Sequence, residues 1–168
     1  MIWYSCARSS FSLDLAGKDN HLAVMSLNLI KLCVGIESAE DLQDHIERRQ
    51  MLHDAAGETY EPIHTTRMVP KRKDELLDGG SLYWVIKGQV RARQQLVDIR
   101  PFTDGEGISR CHLVMNKKLV FTQWQPRRAF QGWRYLKPED APADLSEGEG
   151  AEDMPLEFKL ELANLGLL

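Results

Sequence analysis

Cysteine is scarce in this chain of 168 residues: Cys6, Cys33 and Cys111 are odd in number and far apart. No C-x-x-C pair occurs, so neither a disulfide framework nor a zinc ribbon is supported, and a reducing cytoplasm is the expected setting. Long apolar runs are missing too; none approaches the roughly 20 residues a membrane span needs. The P-loop pattern G-x-x-x-x-G-K-[ST] and the G-x-S-x-G elbow are absent, which disfavours nucleotide hydrolysis and leaves no local signature for a nucleophile. His45 and His53 fall two turns apart on one predicted helix, too far for a His-x-x-x-His clamp. Cys111 and His112 are neighbours that a strand points in opposite directions. No metal and no other cofactor is expected.

What the chain does have is an uneven distribution of charge. Residues 1–60 carry 5 basic and 9 acidic groups, residues 61–138 carry 15 and 7, and residues 139–168 carry 1 and 9. The net values are −4, +8 and −8, summing to the −4 of the whole chain. The basic middle also holds Tyr83, Trp84, Phe102, Phe121, Trp124, Phe130, Trp133 and Tyr135. Cations interleaved with flat rings suit a polyanion with stackable bases. They serve equally well as a sheet with a solvated cationic face.

The periodicity predicts an α+β domain, a mainly antiparallel sheet or small β-barrel with two or three helices. Apolar residues make up 43% of the chain, enough for a sizeable core. Leu27–Val34 reads as a strand. Ser38 is a helix cap ahead of Glu40 and Asp41, and the helix is expected to reach Ala56 and stop at Gly57. Its apolar face is Ala39, Leu42, Ile46, His53 and Ala56, with His53 a boundary histidine. Pro62–Val69 is a further strand, and Pro70 opens a short helix, Lys71–Leu77. In Ser81–Lys87, Leu82, Trp84 and Ile86 share one face and Tyr83, Val85 and Lys87 the other. A two-residue turn at Lys87-Gly88 would put Trp84 beside Arg91, so a bulge or longer loop is expected at Gly88. Residues 94–102 and 108–115 form a hairpin around Asp104–Gly107. Leu119–Trp124 reads as another strand, and Gln125-Pro126 leads into the stretch RRAFQGWRYL at 127–136. Three segments result: an extension or mis-assigned start at 1–24 (Met25 is the expected start), one domain at 25–145, and an acidic linker with a terminal segment at 146–168.

The candidate binding set is Lys71, Arg72, Lys87, Arg91, Arg93, Arg127, Arg128 and Arg134 for phosphate, with Tyr83, Phe130 and Trp133 for stacking. Lys71, Arg72 and Lys73 open the short helix, where backbone N–H groups also favour anions. Arginine both grips phosphate bidentately and stacks on a base. The leading expectation is thus a module for an anionic ligand, RNA or another nucleic acid. The acidic tail would fold over the basic face and compete with the ligand. Two alternatives stand beside it: an enzyme pocket near His64, Arg67, Asp78 and Tyr83, or an interaction module for an acidic protein partner.

Several blocks carry a family resemblance: LIKLCVG at 29–35, TRM at 66–68, PKR at 70–72, ELLDGGSLYWVIKG at 75–88 and PRRAFQGWRYLKPED at 126–140. Over residues 25–145 the chain resembles an uncharacterised bacterial family, domain of unknown function 1489. That resemblance implies no activity and no catalytic residue. More loosely, a helix, a Gly-Gly turn and a Tyr-Trp strand followed by a basic strand are similar in layout to the pseudouridine-synthase-and-transglycosylase (PUA-like) barrels. Those commonly bind RNA or modified bases.

Overall fold

The computed structural model describes residues 26–145; the extension at 1–24 and the acidic segment at 146–168 lie outside the described residues. The elements are β1 (Asn28–Leu32), α1 (Ala39–Ala55), β2 (Ile63–Thr66), α2 (Lys73–Leu77), β3 (Ser81–Ile86), β4 (Gln89–Thr103), β5 (Ser109–Pro126) and β6 (Trp133–Leu136). The six strands form one sheet in the order β2-β5-β4-β3-β1-β6. Only β1 and β3 run parallel; every other pairing is antiparallel. The α+β expectation holds.

Local signals placed most of these elements. Ser38 Oγ accepts from Asp41 N at 3.0 Å and starts α1. Ala39, Leu42 and Ile46 are buried as the period requires, whereas Ala56 is exposed because the last turns of α1 run past the sheet. His53 sits at the boundary, its Nδ1 3.1 Å from Glu58 Oε2 and its ring 5.3 Å from that of Tyr60. The second helix begins later than expected, at Lys73, leaving Pro70 before it. Residues 119–124 are not a separate strand but the second half of β5, joined to β4 through three register shifts. The short strand β6, four residues long and not assigned as a strand from the sequence, pairs with β1.

The turn after β3 differs from the expectation in an informative way. Lys87 and Gly88 take φ of 48° and 79°, the left-handed pair of a tight two-residue hairpin, and Ile86 faces Gln89. The irregularity falls further along: Val85 faces Val90, then Trp84 faces Ala92, so Arg91 is the extra residue. That bulge returns Ala92 to the face of Trp84 and resolves the conflict between turn and apolar pattern.

The sheet is open but strongly curled. In a flat sheet β2 and β6, five spacings of about 4.8 Å apart, would stand about 24 Å from each other. Yet Met68, two residues past β2, accepts a hydrogen bond through its carbonyl from Trp133 Nε1 in β6 at 3.1 Å. Among the described residues no ladder joins β2 to β6, so the barrel alternative, and with it the closed PUA-like layout, gives way to an open curled sheet. The main core lies on the face covered by α1 and α2, with Leu29, Leu82, Trp84, Ile86, Leu96 and Leu113. A second cluster on the other face, Ile30, Tyr83, Val85, Val90 and Leu136, is covered by Phe130 and Ala141.

Candidate functional site

Curling creates a cavity of about 380 Å³ between the sheet and α1, within the roughly 300–1,000 Å³ usual for small-ligand sites. Trp84 of β3, Gln94 of β4 and Met115 of β5 contribute from the sheet. Lys31 and Cys33, on and just past β1, line it together with Ile63 and His64 of β2, and α1 supplies Leu42, His45, Ile46 and Arg49. Val34, 88% exposed, and Ile63, 42% exposed, are apolar residues open to solvent at this cavity.

Lys31 is the unusual member. It follows Leu29 by two on β1, and so points to the same face as that fully buried leucine. In register it stands between Trp84 of β3 and Trp133 of β6. Among the described residues it makes no hydrogen bond or ion pair. Its charge is felt by two neighbours. Burial, with the Lys31 ammonium adding to it, holds the His64 imidazole down at about 4. Burial also pushes the Cys33 thiol up to about 11, against the pull of Lys31. At neutral pH the cavity therefore holds a neutral imidazole and an un-ionised, non-nucleophilic thiol. Gln94 is fully engaged: its Oε1 accepts from Trp84 Nε1 at 2.9 Å and its Nε2 donates to the Asn116 carbonyl at 3.0 Å. The His64 ring meets Trp84 edge-on, centroids 5.6 Å apart.

This arrangement sets a pH dependence. An unfolded imidazole binds its proton near pH 6.5 and the folded His64 only near 4, so between those values the unfolded chain holds more protons. The stability associated with the neutral ring is complete above about pH 6.5 and declines as pH falls toward 4. Urea unfolding at pH 7 and pH 5 measures it: His64→Phe is expected to lose less stability between the two than the parent chain. Equal losses would place that ring in water.

The structure disperses the basic-aromatic set. Tyr83 is 3% exposed and Trp133 8%, so neither ring is presented for stacking. Arg93 is 8% exposed, shares a face with Tyr83, and is gripped by Asp144, both oxygens at 2.6 Å, with Ser81 Oγ at 3.0 Å. Arg91, displaced by the bulge, lies over the Trp124 ring at 3.7 Å. Arg127 bonds to Gln125 Oε1 and the Asp140 carbonyl, and Lys87 pairs with Glu37 at 2.6 Å. The backbone N–H groups of Lys71 and Arg72, assigned to an anion from the sequence, donate instead to Tyr135 Oη at 2.9 and 3.2 Å. The Arg72 side chain pairs with Glu75, and Lys73 donates to the Ile99 carbonyl at 2.8 Å. Lys71, Arg128 and Arg134 are exposed, and Arg134 lies 4.9 Å over the half-buried Phe130.

Of the four residues named for an enzyme pocket only His64 lines the cavity. Tyr83 is on the opposite face, Arg67 is exposed, and Asp78 ends α2, where its carbonyl accepts from Ser26 Oγ at 2.5 Å. No group of three or more His, Cys, Asp and Glu side chains able to hold a metal occurs among the described residues. No helix there is long and apolar enough to cross a membrane. Lys31, Arg49 and Gln94 escaped the sequence reading. The signal for Lys31 was present, a lysine two residues from a core leucine within a strand.

A search of curated proteins finds no match, and a search of solved structures finds none either. A family model matches residues 29–168, running on through the acidic tail that the sequence resemblance had left out, and so the chain belongs to the family described as Protein of unknown function (DUF1489).

Proposed function

We propose that this protein is a binding module for a small anionic ligand, held in the cavity beneath α1. The observation that carries this reading is the charge of the lining. Lys31 and Arg49 reach the cavity beside His45 and the neutral His64, and among the described residues no aspartate or glutamate does. That bias occurs in a chain with more acidic than basic residues, 25 against 21. Low-dielectric walls around a cation of one sign concentrate the field on an anion. The expectation of an anionic ligand is thus kept and its location moved from the basic-aromatic face to the cavity.

A second reading keeps RNA, and a specific observation favours it. Tyr135 Oη ties the backbone of Lys71 and Arg72 to β6 from some 60 residues away, and the Arg72 guanidinium lies 5.8 Å over the exposed Tyr135 ring. Exposed cations beside a ring suit a single strand.

One titration separates the two. Indole, imidazole and tyrosine-ring NMR signals are followed while a panel of small anions and a short RNA are added at low salt. Small anions are expected to move the Trp84 and His64 signals, and Lys31→Met to weaken that binding at least tenfold. If only the RNA binds, with shifts at Tyr135 and none at Trp84, the β6 face is the site. If no small anion moves Trp84 or His64, the cavity reading fails.

A further inference from the structure

We infer that the cavity takes an amphipathic monoanion, an apolar body carrying one carboxylate, with the head at Lys31 and the body along Trp84, Met115 and Ile46. This rests on the reading above and narrows it. Three observations point to this ligand class.

The first is the count of charge inside. Lys31 is the half-buried cation at the sheet; His45 and Arg49 are exposed on α1, and His64 is neutral. One interior ammonium, without an ion-pair partner among the described residues, balances one negative charge. A phosphate dianion would ask for the several donors that helix termini and arginine forks supply elsewhere. The second is that Gln94 and Trp84 offer no free reading group. A nucleobase or a sugar is recognised by fixed donors and acceptors, and here both ends of the Gln94 amide and the Trp84 N–H are already bonded to each other or to the backbone. The third is the character of the remaining wall. Leu42, Ile46, Ile63, Trp84 and Met115 offer apolar surface, and exposed Val34 and Ile63 let it continue outward. Covering such surface with a ligand's apolar body removes it from water, which favours binding.

Recognition needs no covalent step. The carboxylate replaces water at the ammonium, and the His64 ring beside it gains proton affinity once Lys31 is neutralised, the reverse of the effect that now holds it down.

The test uses the full chain and four probes: decanoate, 1-naphthoate, decanol and AMP, with inorganic phosphate as control. The readouts are the Trp84 indole signal and the His64 titration curve. Both carboxylates are expected to shift Trp84 and raise the His64 midpoint, decanol to bind at least tenfold more weakly than decanoate, and AMP and phosphate to leave both signals in place. Lys31→Met and Lys31→Gln should each reduce decanoate binding at least tenfold while unfolding in urea like the parent. Decanol binding as well as decanoate, or full decanoate binding by both Lys31 variants, would overturn the inference by removing the charge from recognition. AMP binding without either carboxylate would overturn it too, and would leave the broader anion site standing. Silence from every probe would end both.

Discussion

Replacing Gly80 by alanine is expected to cost about 3 kcal/mol or more, a fall of roughly 10 °C in Tm for a chain of this length. Gly80 follows α2 at the point where the chain turns into β3. Its N–H donates to the Leu76 carbonyl at 3.0 Å, and its own carbonyl accepts from Leu96 N at 2.9 Å. A Cβ at this position would sit well inside contact distance of the carbonyl oxygens of Leu27 and Leu76. Both are backbone atoms, so relief requires α2 or the entry to β1 to move. Leu27, Leu76 and Leu82 are core residues, and that shift would open their packing. Gly105→Ala is the matched control. No heavy atom lies within 4 Å of a Cβ there and its φ is not positive, so the change should be neutral or stabilise by about 0.5 kcal/mol. Thermal unfolding of the two variants side by side decides the matter. If Gly80→Ala melts within a degree or two of Gly105→Ala, the α2–β1 approach is looser than described.

Asp144→Ala should cost about 3 kcal/mol, because it strands a buried guanidinium. The segment after β6 folds back over the sheet: Gln123 N donates to the Ala143 carbonyl at 2.8 Å and Leu145 N to the Phe121 carbonyl at 2.9 Å. This brings the Asp144 carboxylate onto Arg93, whose side chain retains 10% of its exposure. With the carboxylate removed, Ser81 Oγ is the remaining hydrogen-bond partner of that guanidinium among the described residues. Replacing both members, Arg93→Met with Asp144→Leu, removes the charge along with its partner and should cost clearly less than Asp144→Ala alone. Urea midpoints of the single and double variants measure the difference. A double variant that is the less stable of the two would mean the pair contributes as a net attraction and not as a buried charge held in check.

This ion pair also shows why a cationic face read from strand alternation need not meet solvent. From the sequence Arg93, Tyr83 and Lys87 fall on one face of alternating strands, and the alternation is correct, since Tyr83 and Arg93 are register partners. What alternation cannot reveal is whether that face meets water. Residues 127–145 supply Phe130, Ala141 and Asp144 to cover it, and no local period announces that they do. The excess positive charge of the middle segment is likewise met across the fold, by Glu37 on Lys87 and Asp144 on Arg93. Each partner lies far away in sequence, so a charge profile along the chain counts these cations as available when the folded molecule has engaged them.

By itself the sequence determined what is local. Ser38 sets the start of α1, the alternation through β3 sorts Leu82 and Trp84 from Tyr83 and Val85, and Asp104–Gly107 closes the β4–β5 hairpin, because capping, pleat and turn chemistry act over a few residues. The conflict between the turn at Lys87-Gly88 and the apolar pattern even announced a bulge, misplaced by three residues. The tertiary structure alone decided the curl of the sheet, and the cavity depends on it. Lys31 and His64 belong to strands at positions five and one of the sheet order, and they share a cavity only because twist and bulges bend the sheet around α1. A site assembled from five strands and a helix has no spacing in sequence to be read. What remained legible was a lysine where β1 should have buried an apolar side chain.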